Sequence, residues 1–382
     1  MDFPLDRERL SRTFITLCEI DSPARSEGKL AQHILSYFKN FSALEFFEDD
    51  STFSTGSDTG NIIIRFPGTK PERDPVFFNC HLDVISPCIG VKVNRDDSDT
   101  FFSTGETVLG ADDKAGIAIL IEVLLTTLEN NLDYAPVELL FTTCEEIGLL
   151  GAKAFSPSRL KAYYGYALDS TGIDNVITGA PAANYIIAEI HGQASHAGLN
   201  PNNGISAIQL ASKAISRLPL GQLDDQSTAN IGLISGGTAT NIIPDFVKLK
   251  GEIRSHSVAK LHRHIDHFKS IFSDTINSWH DPGYRLDSHP AFSFQSPEQY
   301  PLMSLPDDSD VLQLARLAGH NLSRSLHFGK AGGGSDANFF NHKGLPTAIL
   351  GIGMDHVHSN SEQIKLSDMQ RTAELILSII TI

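Results

Sequence analysis

Apolar and polar positions along the chain follow two different periods. Residues 6–40 repeat apolar side chains at helical spacing, in LSRTFITLCEI and again in LAQHILSYFKNF, and the proline and glycine of DSPARSEG interrupt the repeat. Two helices joined by a loop are predicted there. The runs NIIIRF (61–66) and PVFFNCHLDVI (75–85) have the continuous hydrophobicity of buried strands and stop at polar residues. KAGIAILIEVLLTTLEN (114–130) is the strongest helix pattern in the chain, and VELLFTTCEEIG (137–148) reads as a buried strand ending in two glutamates. Strands alternating with helices predict an α/β fold, a mixed and largely parallel sheet sandwiched by helices.

The pattern changes after VITGAPAAN. From Tyr185 the chain reads YIIAEIHGQASHAG, the helix ISAIQLASKAISRL, TANIGLISGG, FVKLKGEIRSH, the helix VAKLHRHIDHFKSIFSDTI and YRLDSHPAFSF. That order is strand, helix, strand, strand, helix, strand, a compact α+β unit predicted over 183–294. DVLQLARLAGHNL, PTAILGIG and LSDMQRTAELILSII then resume the first alternation. The first domain is therefore expected to be discontinuous, 1–182 and 295–382, with the smaller domain inserted.

Length and composition agree with two folded domains. The 382 residues exceed what one hydrophobic core usually supports, and 41% hydrophobic with 20% charged residues is ordinary for a globular chain. Thirty Lys and Arg against 46 Asp and Glu give a formal charge of −16, which argues against nucleic acid as a partner, because phosphate binding needs clustered cations. The four cysteines, Cys18, Cys80, Cys88 and Cys144, form no CxxC pair and suggest neither a disulfide framework nor a thiolate zinc site. The N-terminus lacks an apolar signal region, and no window reaches the roughly 18 apolar residues of a membrane span. A cytoplasmic protein without a membrane partner is expected.

Metal-binding side chains recur where predicted strands end, which is where open α/β sheets place their ligand sites. His81 and Asp83 follow VFFNC, Asp112 and Asp113 follow TVLGA, Glu145 and Glu146 follow LLFTTC, Asp169 follows YGYAL, and His356 and His358 follow AILGIGMD. One such residue is more often a cap or a solvated side chain; five places in one fold are harder to dismiss. Imidazoles and carboxylates without thiolates are the ligands of a hydrolytic zinc site or of a harder ion such as manganese. The number of carboxylates allows two ions, which in such sites stand about 3.5–4 Å apart with a carboxylate between them. Period-two geometry puts His81 and Asp83 on one side of an extended segment, so that Asp83 could orient the imidazole. The same geometry turns Glu145 and Glu146 apart, so that one could ligate an ion while the other takes a proton.

Nine segments, NCHLDV, GADDKAG, TTCEEIGLLGA, ALDS, HGQASHAG, GGTATNIIPD, GEIRS, GGGSDANFF and HSNSEQI, resemble in this order the motifs of the M20 metallopeptidases. GADDKAGIA together with GISAIQLASKAISRLPLGQLD and TANIG is most similar to the peptidase T-like branch, the tripeptide aminopeptidases. The resemblance covers nearly the whole chain. It implies two divalent ions, zinc before manganese or cobalt, one held by His81 and Asp169, the other by Glu146 and His358, with Asp112 bridging and Asp83 supporting His81. Glu145 would be the general base. His358, four residues before Glu362, fits the ligand position better than His356.

The resemblance further implies that the inserted domain is a lid and homodimer interface. Its His196 would stabilise the oxyanion, in some members across a subunit boundary, and Asn241 and Arg254 would hold substrate carboxylate or carbonyl groups. Gly332 to Gly334 would allow close backbone approach to a short peptide substrate. A cis bond is implied between Asp112 and Asp113, the second aspartate turning the chain, capping the following helix or pairing with Lys114. The neighbours of Asp169 in ALDSTG and the extra histidine in GMDHVHSNSE depart from the tripeptidases, so a dipeptidase, carboxypeptidase or N-acyl amino acid deacylase shares the same expected ligands. A non-hydrolytic binding protein on this fold is the remote alternative.

Overall fold

The structure, a computed structural model, describes residues 3–281, 283 and 288–382. Two helices, Arg7–Cys18 and Gly28–Phe38, open the chain, and the Asp6 side chain caps the first by accepting from Arg9 N–H. Nine strands among the described residues form the main sheet. Across it run Glu45–Glu48, Ile62–Phe66, Val137–Thr142, Val76–His81, Tyr164–Thr171, Thr347–Met354, Ile173–Ala180 and Met303–Ser304, with His327–Lys330 also paired to Ile173–Ala180. The middle four are mutually parallel and the flanking pairs mostly antiparallel, so the sheet is mixed with a parallel centre.

Val137–Thr142 and Val76–His81 are buried at every position, as strands covered on both faces must be. Successive side chains reach opposite layers: Phe78 stacks on Tyr166, while Phe77 packs edge-on against Phe340 of the helix Asp336–His342. The helix Ala111–Glu129 is apolar nearly all round because it is enclosed. It packs against three central strands and against the helices Arg7–Cys18 and Leu366–Thr381. Ile173–Ala180, whose burial alternates, and the exposed edge strand Glu45–Glu48 had no clear sequence signal. Both depend on neighbours already in place.

The chain divides into two compact units, Met1–Ala180 with Met303–Ile382, and Pro181–Leu302. The second has its own core of Ile186, Ile190, Val247, Leu249, Phe268 and Phe272. Its main elements run Ala182–His191, Ala207–Ile215, Ser227–Gly236, Phe246–Ser255, Val258–Asn277 and Ala291–Gln295, in the order expected. The first part of the final expected strand, Tyr284 to Asp287, lies outside the described residues. Glu298–Tyr300 pairs with Ala182–His191, which carries this unit past residue 294.

Candidate metal centre

Because the four central strands are parallel, their carboxyl ends share one edge of the sheet, and the residues that follow them meet there. His81 ends its strand and Asp169 lies near the end of its own. Glu145 and Glu146 follow Thr142, and His358 follows Met354. Asp112 arrives at the start of the helix Ala111–Glu129, where Asp112 (φ −83°, ψ 101°) and Asp113 (φ −119°, ψ 26°) depart from helical angles and the bond between them is cis.

Asp112 faces both imidazoles, one with each oxygen. Its Oδ1 lies 3.0 Å from His81 Nε2, and its Oδ2 lies 3.2 Å from His358 Nε2. Glu146 Oε2 lies 3.2 Å from the same nitrogen of His358. Three overlapping groups have ligand atoms within 4.8 Å of one another: His81, Asp112 and Asp169; His81, Glu145 and Glu146; Asp112, Glu146 and His358. His356 stays outside them, exposed, with its Nε2 3.6 Å from Asp355.

The surrounding hydrogen bonds hold this arrangement. His81 Nδ1 is 2.9 Å from the Asp83 carbonyl and 3.7 Å from its carboxylate. The carbonyl can only accept, so Nδ1 carries a proton and Nε2 faces Asp112. The Asp83 carboxylate instead accepts the N–H groups of Glu145 at 2.8 Å and Glu146 at 3.1 Å. Asp83 thus orients the imidazole chiefly through its main chain and the glutamates through its side chain. Asp113 does not pair with Lys114. Neighbours at the start of a helix point apart, and Lys114 is buried with its Nζ donating to the Ile20 carbonyl at 2.6 Å, whereas Asp113 accepts the His81 N–H at 3.2 Å.

Two buried glutamates join the centre without having been expected there. Glu27 accepts the Cys144 N–H at 2.9 Å and the Ser57 hydroxyl at 2.6 Å, holding the turn before Glu145 where Cys144 has a left-handed φ of 55°. Glu362 accepts the N–H groups of Gly110 at 2.7 Å and Asp112 at 2.9 Å. An acid before a helix, such as Glu27, looks like an ordinary solvated helix start, and Glu362 enters the motif only as a spacing mark for His358. Neither position signals burial in the sequence. Beside the centre, Ser335 caps the helix Asp336–His342, and the buried Asp336 accepts from the Thr142 hydroxyl.

So many carboxylates at close range shift one another's proton affinities. Burial opposes a charged His81, yet its bonds to Asp112 and Asp83 outweigh that and raise it well above the ordinary imidazole value. Asp112 and Glu146 push His358 up to about 10. Burial would raise Asp112, but the bonds from His358 and His81 hold it below the usual carboxylate range. Burial drives Glu145, Glu146 and Asp169 up, and takes Glu362 to about 7. The donor set fits divalent ions: two imidazoles and four carboxylates converge without a thiolate, and the buried Glu146 Oε1 has no hydrogen-bond partner among the described residues.

In the second unit, Ser195–His196 pairs with Ile242–Ile243, and Ala197 N–H donates to the Asn241 carbonyl at 2.9 Å, so His196 and Asn241 are neighbours. His196 Nδ1 accepts the N–H groups of Gly198 at 3.2 Å and Leu199 at 3.1 Å. That leaves Nε2 to carry the proton of the neutral ring. Arg254, paired with Glu252 at 2.9 Å, lies near the other end of the strand Phe246–Ser255. Eight residues separate Phe246 from Arg254, about 26 Å at ~3.3 Å per residue. The three residues do not form one cluster.

Residues 182–280 match the family described as the peptidase dimerisation domain of the M20 peptidases, and residues 97–184 match the M42 glutamyl aminopeptidases. The uncharacterised Bacillus subtilis protein YqjE is 36% identical over 378 residues, with 98% of each chain covered. Among solved structures, the aminopeptidase PepT from Bacillus cereus superposes with a TM-score of 0.87 at 36% identity, covering 99% of this chain and 98% of that one. A tripeptidase from Staphylococcus aureus superposes with a TM-score of 0.91 at 33% identity over the same shares.

Proposed function

Since the chain belongs to the M20 family of metallopeptidases, on its peptidase T-like branch, we propose that it is a two-metal aminopeptidase releasing the N-terminal residue of tripeptides. The observation that carries this reading is the divided carboxylate of Asp112, with one oxygen toward His81 and the other toward His358. His81, Asp112 and Asp169 would hold one ion, and Asp112, Glu146 and His358 the other. Zinc suits this donor set first, with manganese or cobalt as alternatives. The bound ions would polarise the scissile carbonyl and bring a water's pKa toward neutrality.

The protein's own groups handle the protons. Glu145 lies within reach of the cluster, grouped with His81 and Glu146, and burial raises its proton affinity. Its carboxylate would take the proton of the attacking water and return it to the leaving amine nitrogen. Asp83, gripping the N–H groups of Glu145 and Glu146, keeps base and ligand in register. The proton on Nε2 suits His196 to stabilise the developing oxyanion.

The proposed enzyme is a homodimer through the inserted unit, in which His196 would serve either its own protomer's active site or the partner's. The strand Ser227–Gly236 supports this. On its outer side it meets only Gly221–Gln222, so Asn230 to Gly236 is an open edge among the described residues, and Leu233 and Ile234 are 65% and 58% exposed on it. The test of the function is hydrolysis of di- and tripeptides with free and blocked termini, with metal content measured on the same sample. Release of N-terminal residues from free tripeptides is expected. Cleavage that survives a blocked amino terminus would overturn the aminopeptidase reading in favour of a carboxypeptidase or deacylase.

A further inference from the structure

Glu362 is 2% exposed, and both of its oxygens accept backbone N–H groups of one turn, Gly110 at 2.7 Å and Asp112 at 2.9 Å. That turn begins the helix Ala111–Glu129, and Gly110 has no side chain to cap it. The N–H groups at a helix start have no partner within the helix, and here the acceptor comes from 250 residues later.

Glu362 also belongs to the loop that carries His358. Asp355 and Gln363 exchange backbone hydrogen bonds of 2.9 and 3.0 Å at its base, and Glu362 N–H donates to the Ser359 carbonyl at 3.1 Å. His358 stands on this loop with its side chain 54% exposed and a left-handed φ of 60°. A second tie, Asn360 Nδ2 to the Gly105 carbonyl at 2.9 Å, is exposed and reaches neither Asp112 nor its helix. Glu362 is the buried link from the His358 loop to the backbone of Asp112.

The first ion's other residues are held differently. His81 and Asp169 stand on central strands of the sheet, positioned by the ladder itself. From this asymmetry we infer that Glu362 is a positioning residue that sets the spacing between Asp112 and His358, and thereby the affinity of the ion they share with Glu146. The inference rests on the two-ion reading above.

The test is calorimetric titration of the metal-depleted full chain with Zn2+, comparing wild type with Glu362→Gln, alongside the melting temperature of each without metal. Glutamine keeps the shape but turns an N–H2 group toward an N–H donor, so one of the two hydrogen bonds is lost. Loss of an outer hydrogen bond around a metal site weakens binding roughly 10- to 100-fold. The expected result is weakening of that size at one of two sites, a smaller change at the other, and a metal-free melting temperature close to wild type. Glu362→Asp, too short to reach both amides, should show the same selectivity if Glu362→Gln fails to fold. Asn360→Ala should leave both affinities near wild type. Wild-type affinities in both Glu362 variants, or equal weakening at both sites with a lowered melting temperature, would overturn the proposal. A wild type that takes up a single ion overturns the two-ion reading, and the proposal with it.

Discussion

Glu145 and Glu146 are adjacent but differ in their partners. Glu146 reaches His358 at 3.2 Å, whereas Glu145 groups with His81 and Glu146. Glu145→Gln keeps the volume and removes the base, so kcat should fall by about 10²- to 10⁴-fold while two ions remain bound; near-normal kcat in a fully loaded variant would refute its role. Asp112→Ala removes the carboxylate that both ions would share. Both should be lost together in a metal titration, and a variant that still bound two ions tightly would exclude bridging. Asp83→Asn retains one acceptor for the N–H groups now held by two oxygens. Loosening that turn should lower kcat more than it raises KM.

At the scale of elements, the helix Ala111–Glu129 ties sheet and centre together. Gly116 sits where it crosses the strands, and a Cβ there would meet Asp113 Oδ1, Cys80 Sγ at 2.8 Å and Leu168 Cβ at 2.9 Å. These neighbours belong to the core and to the turn beside Asp112, so they cannot give way freely. Gly116→Ala should destabilise the fold by about 1–3 kcal/mol, the usual cost of overpacking, read as a lower urea midpoint. A stability equal to wild type would show that the helix can shift in its seat. The alternation of buried strands and helices was readable because burial on both faces leaves long apolar runs. Glu45–Glu48 and Ile173–Ala180 were not, because an edge and an antiparallel addition take their order from neighbouring strands.

For the whole molecule, the open edge of Ser227–Gly236 makes a prediction about assembly. Leu233→Asp places a charge on that edge and should yield a monomer by sedimentation, with activity reduced if His196 serves the partner's site. A monomeric wild type with full activity at nanomolar concentration would remove the trans role. In the order of its motifs, the sequence already carried the family, and residues 182–280, which match the dimerisation domain, fall within the compact unit Pro181–Leu302.

By itself the sequence determined the alternation of strands and helices, the inserted second pattern and the set of imidazoles and carboxylates, because hydrophobic period and residue type are local properties. Only the tertiary structure decided how those side chains divide the work. The Asp83 carboxylate holds two amides while its carbonyl holds His81, and Lys114 turns away from Asp113. Glu27 and Glu362 became part of the centre in the same way. The partners in these contacts are mostly far apart in sequence, so the pairings exist only once parallel strands have brought their carboxyl ends to one edge. The pair of aspartates at residues 112 and 113 shows the division most clearly: the sequence already marked Asp112 for the ions, and the fold decided Asp113, which accepts the His81 N–H while Lys114 turns to the Ile20 carbonyl.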